Sequence, residues 1–117
     1  QLDVLRSMGA AEARLVIVTV DDFRTNEEVV ETLRASFPDL KIIVRGHDLE
    51  HCIRLTERGA GLTVSENLEA SIALAQEALV IAGEGRAEID DAVDRFRQEY
   101  YRFAEKTPHG GPADKAE

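Results

Sequence analysis

Three short apolar runs rich in β-branched residues alternate along the chain with stretches whose apolar positions fall three and four residues apart. The first run, Leu15-Val-Ile-Val-Thr-Val20, ends in Asp21-Asp22 and reads as a β-strand buried on both faces. Thr25 and Glu28 then stand at capping-box spacing, and Val29, Val30 and Leu33 supply a helical stripe that ends before Pro38-Asp39. Lys41-Ile-Ile-Val44 predicts a second buried strand. A second helix is expected over Asp48 to Arg58, carrying Cys52, Ile53 and Leu55 inward and stopped at Gly59. Leu62-Thr-Val64 reads as a short third strand, with Ser65 or Asn67 capping a helix that reaches about Ala82. Strands alternating with helices in this way predict βαβ units and a parallel sheet, an α/β fold.

Gly83-Glu84-Gly85 breaks the last helix, and Arg86 to Lys106 forms a separate amphipathic one. Its apolar residues Ile89, Val93, Phe96, Tyr100 and Phe103 step by four, three, four and three, the repeat of a packing seam. The seam is expected to pack either against this domain or, if the glycine break lets the helix cross over, against a second copy. From Thr107 the tail is polar, carries Gly110-Gly111-Pro112 and is expected to be disordered.

Composition narrows the possible partners. The 117 residues suffice for one domain with one core. A net charge of −9, from 23 acids against 14 Lys and Arg, repels nucleic-acid phosphates and anionic headgroups. The single cysteine, Cys52, cannot close an internal disulfide, which fits a reducing compartment. No apolar run approaches the ~20 residues of a membrane-spanning helix. The chain opens on Gln1 without a start methionine, as expected for a piece of a longer polypeptide.

Candidate chemistry gathers at the strand ends. Asp21 and Asp22 close the first strand, where open α/β sheets bind ligands, and either could meet a ribose or a cation beside a phosphate. An acid near a helix N-terminus explains the same pair without a ligand. Arg45, His47 and Asp48 close the second strand, and the planar fork of Arg45 suits an anion. An exposed turn with a weak ion pair is the plainer account. His47-Asp-Leu-Glu-His51 matches the pattern of inverted zinc proteases, but no further ligand follows, so no metal site is expected. Cys52 reads as a small core hydrophobe. No Gly-rich phosphate loop follows a strand, and no catalytic set is recognisable, so the chain is not read as an enzyme.

In order, Leu5-Arg-Ser-Met-Gly-Ala-Ala-Glu-Ala13, Leu15-Val-Ile-Val-Thr-Val-Asp-Asp22, Phe37-Pro-Asp-Leu-Lys-Ile-Ile-Val-Arg45, Asp48-Leu-Glu-His51, Arg58-Gly-Ala60 and Ser65-Glu-Asn-Leu-Glu-Ala-Ser71 resemble one family. It is the RCK/KTN (TrkA-N) regulatory domain of monovalent cation:proton antiporters, nearest the Kef-type potassium-efflux systems. The resemblance implies that residues 1–82 are the C-terminal half of a Rossmann-like parallel sheet, 83–106 an amphipathic helix able to cross a dimer, and 107–117 a disordered tail. Leu15 to Val20 would be the fourth strand of six, with the glycine motif upstream of this chain. The complete domain would bind NAD(H) or AMP, pair as a homodimer and pass its ligand state to the membrane transport domain of the same polypeptide. Its place would be the cytoplasmic face of the bacterial inner membrane.

The resemblance makes Asp21, Asp22, Arg45, His47 and Asp48 the nucleotide-site candidates, with binding expected to be lost from this piece alone. In Kef-type members an Arg-x-Arg-Asp segment and a polar residue of the last helix meet glutathione or its adducts near the dimer interface. Here the segment reads Arg45-Gly-His47-Asp48, and Arg97 stands where glutathione-gated members have Asn. Arg45 and Asp48 carry over; the second Arg does not. Two other readings compete. A response-regulator receiver shares Asp21-Asp22 and the Phe37 to Val44 strand, but lacks the phosphoacceptor strand, a Thr or Ser at Arg45-Gly46 and a Lys at Ser65-Glu66. A small NAD-binding oxidoreductase would need the absent glycine loop and an acid/base group.

Overall fold

The computed structural model describes residues 14–106. The elements run β1 (Leu15–Val18), α1 (Phe23–Ser36), β2 (Lys41–Gly46), α2 (Leu49–Glu57), β3 (Leu62–Ser65), α3 (Glu66–Ile81) and α4 (Arg86–Lys106). The strands form one parallel sheet in the order β1-β2-β3, with Ile17 opposite Ile43 and Ile43 opposite Leu62. Sequential order with a helix between each pair is the arrangement that right-handed crossovers produce.

Alternation decides which strand residues reach the core. Val18, Ile42 and Val44 point to one face and pack with Val30 and Leu33 of α1 and Leu55 of α2. The opposite face carries Ile17, 64% exposed, and Leu62, 51% exposed, so the expectation of a first strand buried on both faces is overturned. The reason is that both crossover helices lie on one side of the sheet. The all-apolar run is compatible with double burial but does not supply the second cover.

The helix starts also needed the structure. Asp22, not Thr25, caps α1: its carboxylate accepts from the Thr25 backbone N–H at 2.9 Å and from the Thr25 hydroxyl at 2.8 Å. The capping box read at Thr25–Glu28 is therefore displaced by an acid three residues earlier. Asp48 caps α2, and Ser65 rather than Asn67 caps α3. Within α2, Cys52 and Leu55 are fully buried and Ile53 only partly.

A second cluster joins Leu68 and Ile72 of α3 to Ile89 and Val93 of α4. Helix α4 packs on both α2 and α3. Its expected seam is only half sunk: Phe96 and Phe103 are 54% and 63% exposed. Gly83, at φ +90°, ends α3 in a left-handed turn that a side chain would strain. The tail from Thr107 and the segment Leu5 to Ala13 lie outside the described residues.

Candidate functional site

The parallel sheet sets the carboxyl ends of β1 and β2 side by side. Arg45, on β2, reaches across that boundary. Its Nη2 donates to the Thr19 carbonyl at 3.1 Å and to Asp21 Oδ1 at 2.5 Å. Its own carbonyl accepts from Nδ2 of Asn26, a fully buried residue of α1, at 3.0 Å. Backbone and side chain of Arg45 are thus both tied to the β1–α1 segment. Asp21 is almost fully exposed, so its pair with Arg45 is a surface contact of modest strength.

A cleft of about 190 Å³ opens here between Asp21, Phe23, Arg45, His47, His51 and Glu66. The six come from the ends of two strands and the starts of three helices. His47 Nδ1 lies 3.8 Å from Glu66 Oε1 across it. Asp22 and Asp48 do not line the cleft. Asp22 is occupied by the α1 cap, where the Thr25 N–H and hydroxyl hold its carboxyl below the usual range. Asp48 accepts from the His51 N–H at 3.0 Å as the α2 cap. Of the strand-end residues named from sequence, the structure gathers Asp21, Arg45 and His47 and assigns the other two to helix starts.

His51 is the residue the sequence pattern undervalued. Its Nδ1 accepts the His47 backbone N–H at 3.0 Å, and its ring stacks on Phe23 at 4.2 Å and 11°. Burial is the main reason its pKa falls below the usual imidazole value. On its far side Glu27, also buried, takes Arg54 Nε at 2.9 Å and Arg58 Nη2 at 3.5 Å. The His47-Asp-Leu-Glu-His51 match is not a zinc motif here, because His47 precedes α2 and His51 Nδ1 is already committed. Among the described residues, no group of His, Cys, Asp and Glu is arranged to hold a metal ion. Cys52 is buried, and burial pushes its thiol pKa up, as a core role requires.

Arg97 stands elsewhere. It forms a two-point pair with Glu69 of α3, with Nη2 to Oε1 at 2.8 Å, and Tyr101 donates to the other carboxylate oxygen at 2.8 Å. The pair holds Glu69 below its usual pKa and Arg97 above its own. These residues line a separate cavity of about 490 Å³ beside the outer edge of β3, together with Leu62, Gln98 and Arg102. Arg45 and Arg97 therefore line different cavities.

Residues 1–66 match the family described as the TrkA-N domain. Over 110 residues, 94% of this chain, 36% are identical to the glutathione-regulated potassium-efflux system protein KefC of Salmonella paratyphi B, and the same holds for Salmonella enteritidis. The chain spans 18% of the length of these relatives. Among solved structures it is similar to the Kef CTD of Shewanella denitrificans in AMP-bound form, with TM-score 0.78 and 27% identity, covering 90% of this chain and 67% of that one. It is also similar to the TrkA-N domain of the inner membrane protein ybaL from Escherichia coli, with TM-score 0.60 and 27% identity, over 63% of this chain and 55% of that one.

Proposed function

Because this chain belongs to the TrkA-N (RCK/KTN) family, in its Kef-type branch, we propose that it is part of a ligand-sensing regulatory domain of a potassium-efflux transporter. The observation that carries the reading is Arg45, whose guanidinium spans the adjoining ends of β1 and β2 above a cleft. In open parallel sheets this is the end that receives ligands. An arginine fork there suits the phosphate of a nucleotide, AMP or NAD(H). Asp21 and His47 are its neighbours in the site, while Asp22 and Asp48 act on it through the helix starts they cap.

In this reading residues 1–82 are the second half of the nucleotide domain and 83–106 the helix that meets a second copy. The domain binds and regulates without catalysing. It works at the cytoplasmic face of the membrane and signals to the transport domain of the same polypeptide. No helix among the described residues is long and apolar enough to cross a membrane itself. Glutathione or its adducts are the second ligand class, supported by the names of the KefC relatives. Since Arg45 and Arg97 line separate cavities, such a ligand would engage both only across two copies.

The test is Arg45→Ala in the intact transporter, with AMP binding followed by calorimetry and potassium efflux by flux assay. Losing a charged hydrogen-bonding partner worth about 1.5–3 kcal/mol should weaken AMP about 10- to 100-fold and blunt the control of efflux. Unchanged affinity and unchanged control in the variant would remove Arg45 from the site. This chain alone, without a glycine phosphate loop, should bind AMP or NADH only weakly; micromolar affinity for NADH would contradict that.

A further inference from the structure

His51 forms the floor of the cleft, and its contacts fix its protonation state by geometry. The ring is buried. Because Nδ1 accepts the His47 N–H at 3.0 Å, that nitrogen must carry a lone pair, and the neutral ring places its proton on Nε2. Nε2 is buried without a hydrogen-bond partner, 3.6 Å from Glu27 Oε2. The charged groups around the ring come from every side. Helix α1 supplies Glu27, with Glu31 behind it on Arg58; α2 supplies Asp48, Arg54 and Arg58; the turn supplies His47, which faces Glu66 of α3. Glu27, Asp48 and the Phe23 backbone favour a charged ring and Arg54 opposes it, but burial outweighs them and favours the neutral one.

We propose that His51 is a positioning residue that holds the Arg45–Asp48 turn in its ligand-receiving shape only while its ring is neutral, which makes the cleft responsive to protons. The inference rests on the reading of the cleft as the ligand site. Protonating Nδ1 turns an acceptor into a donor, so the His47 N–H would face another N–H and the bond is lost. The new charge is drawn toward Glu27, on the side of the ring away from His47. The turn has no slack to absorb the change: a Cβ on Gly46 would lie 2.8 Å from Cys52 Sγ, so this stretch of backbone is pressed against the helix that carries His51. Movement at His47 is therefore passed to Arg45, two residues away.

The experiment has two arms. On this chain, imidazole and amide NMR signals are followed from about pH 8 to about pH 5. His51 should titrate below the usual 6.5, with the His47 amide moving at the same midpoint. In His51→Asn, whose side-chain oxygen replaces Nδ1 as acceptor but cannot take a proton, the amide should stay fixed. A His47 amide indifferent to the titration of His51 overturns the proposal. On the intact transporter, AMP affinity should fall below the midpoint more steeply in the parent than in His51→Asn, by up to about tenfold per pH unit, the limit for one proton; what remains in the variant is the titration of AMP's own phosphate, whose second pKa is about 6. A pH dependence equally steep in His51→Asn also overturns it. AMP binding absent at every pH sinks the ligand reading and the proton control with it, whereas the coupling of His51 to His47 is decided by the NMR arm alone.

Discussion

Asp21 and Asp22 are chemically identical and adjacent, yet the structure gives them unrelated work. Asp22 satisfies the first turn of α1 through Thr25, and Asp21 faces Arg45 in solvent. Asp22→Ala should lower the melting temperature, with Asp21→Ala leaving it near the parent value, as thermal denaturation at neutral pH would show. The acid limb of the stability curve should carry the same mark. Asp22 has a lowered folded pKa, so its contribution is complete above its usual 3.8 and is lost as pH falls through the lower folded value. His51 works in the same direction at higher pH: its neutral form is favoured on folding, so its contribution is complete above 6.5 and erodes as pH drops below that. Which acid caps the helix and which faces Arg45 was not legible in the sequence, because it depends on where the helix begins. The position of Arg45 at a strand end was legible. The roles of Asn26 and His51 were not: Asn26 bonds the backbone of a residue 19 positions away, and the four-residue spacing of His47 and His51 suggested paired ligands, whereas His51 bonds the His47 backbone.

At the scale of elements, the order of strands and helices was readable because β-branched runs and three-to-four spacing are strong local signals. The seam on α4 was readable only in part. Its buried side follows Ile89, Val93, Tyr100 and Ala104, the line that a straight 3.6-residue helix presents to its neighbours. Phe96 and Phe103 lie at the rim of that face, which is why a strict seven-residue repeat overstated their burial. The far half of α4 is fastened instead by Tyr101, whose hydroxyl accepts the Ser65 N–H at 3.0 Å and donates to Glu69. Tyr101→Phe strips a buried backbone N–H of its acceptor and should cost about 1–3 kcal/mol in denaturant unfolding. Burial is the leading reason the phenol pKa is pushed up to about 12. The contribution of the neutral phenol is therefore complete below pH 10 and lost as pH rises from there toward 12. A Tyr101→Phe variant as stable as the parent would mean that Ile89, Val93 and the Arg97–Glu69 pair hold α4 without help from the Tyr101 hydroxyl.

The whole molecule leaves apolar surface uncovered in two places. One is the sheet face with Leu15, Ile17, Leu62 and Val64; the other is α3, where Leu74 and Ile81 are 73% and 85% exposed on a helix apolar on nearly every side. Exposed surface of this kind marks an interaction site. A chain of net charge −9 repels its own copies least across apolar patches such as these, of which the sheet face also carries Lys41 and Arg45. Phe96→Asp at the rim of α4 should shift sedimentation toward the monomer if α4 takes part in pairing, and a variant that sediments and melts like the parent would show that it does not. Strand β1 poses the sharper question. It is an edge of the described sheet, paired on one side with β2, and its sequence has none of the charges or prolines with which proteins blunt an exposed edge. Its outer N–H and C=O groups should therefore be covered by a second copy or by the rest of the domain, which the 67% coverage of the Kef CTD shows to be larger in that relative. Hydrogen exchange distinguishes the cases. Amides of Val16, Ile17 and Val18 not bonded to β2 should exchange slowly in an associated state and faster as this chain is diluted. If they remain slow in a demonstrated monomer, the chain caps its own edge, and β1 is not the interrupted centre of a wider sheet.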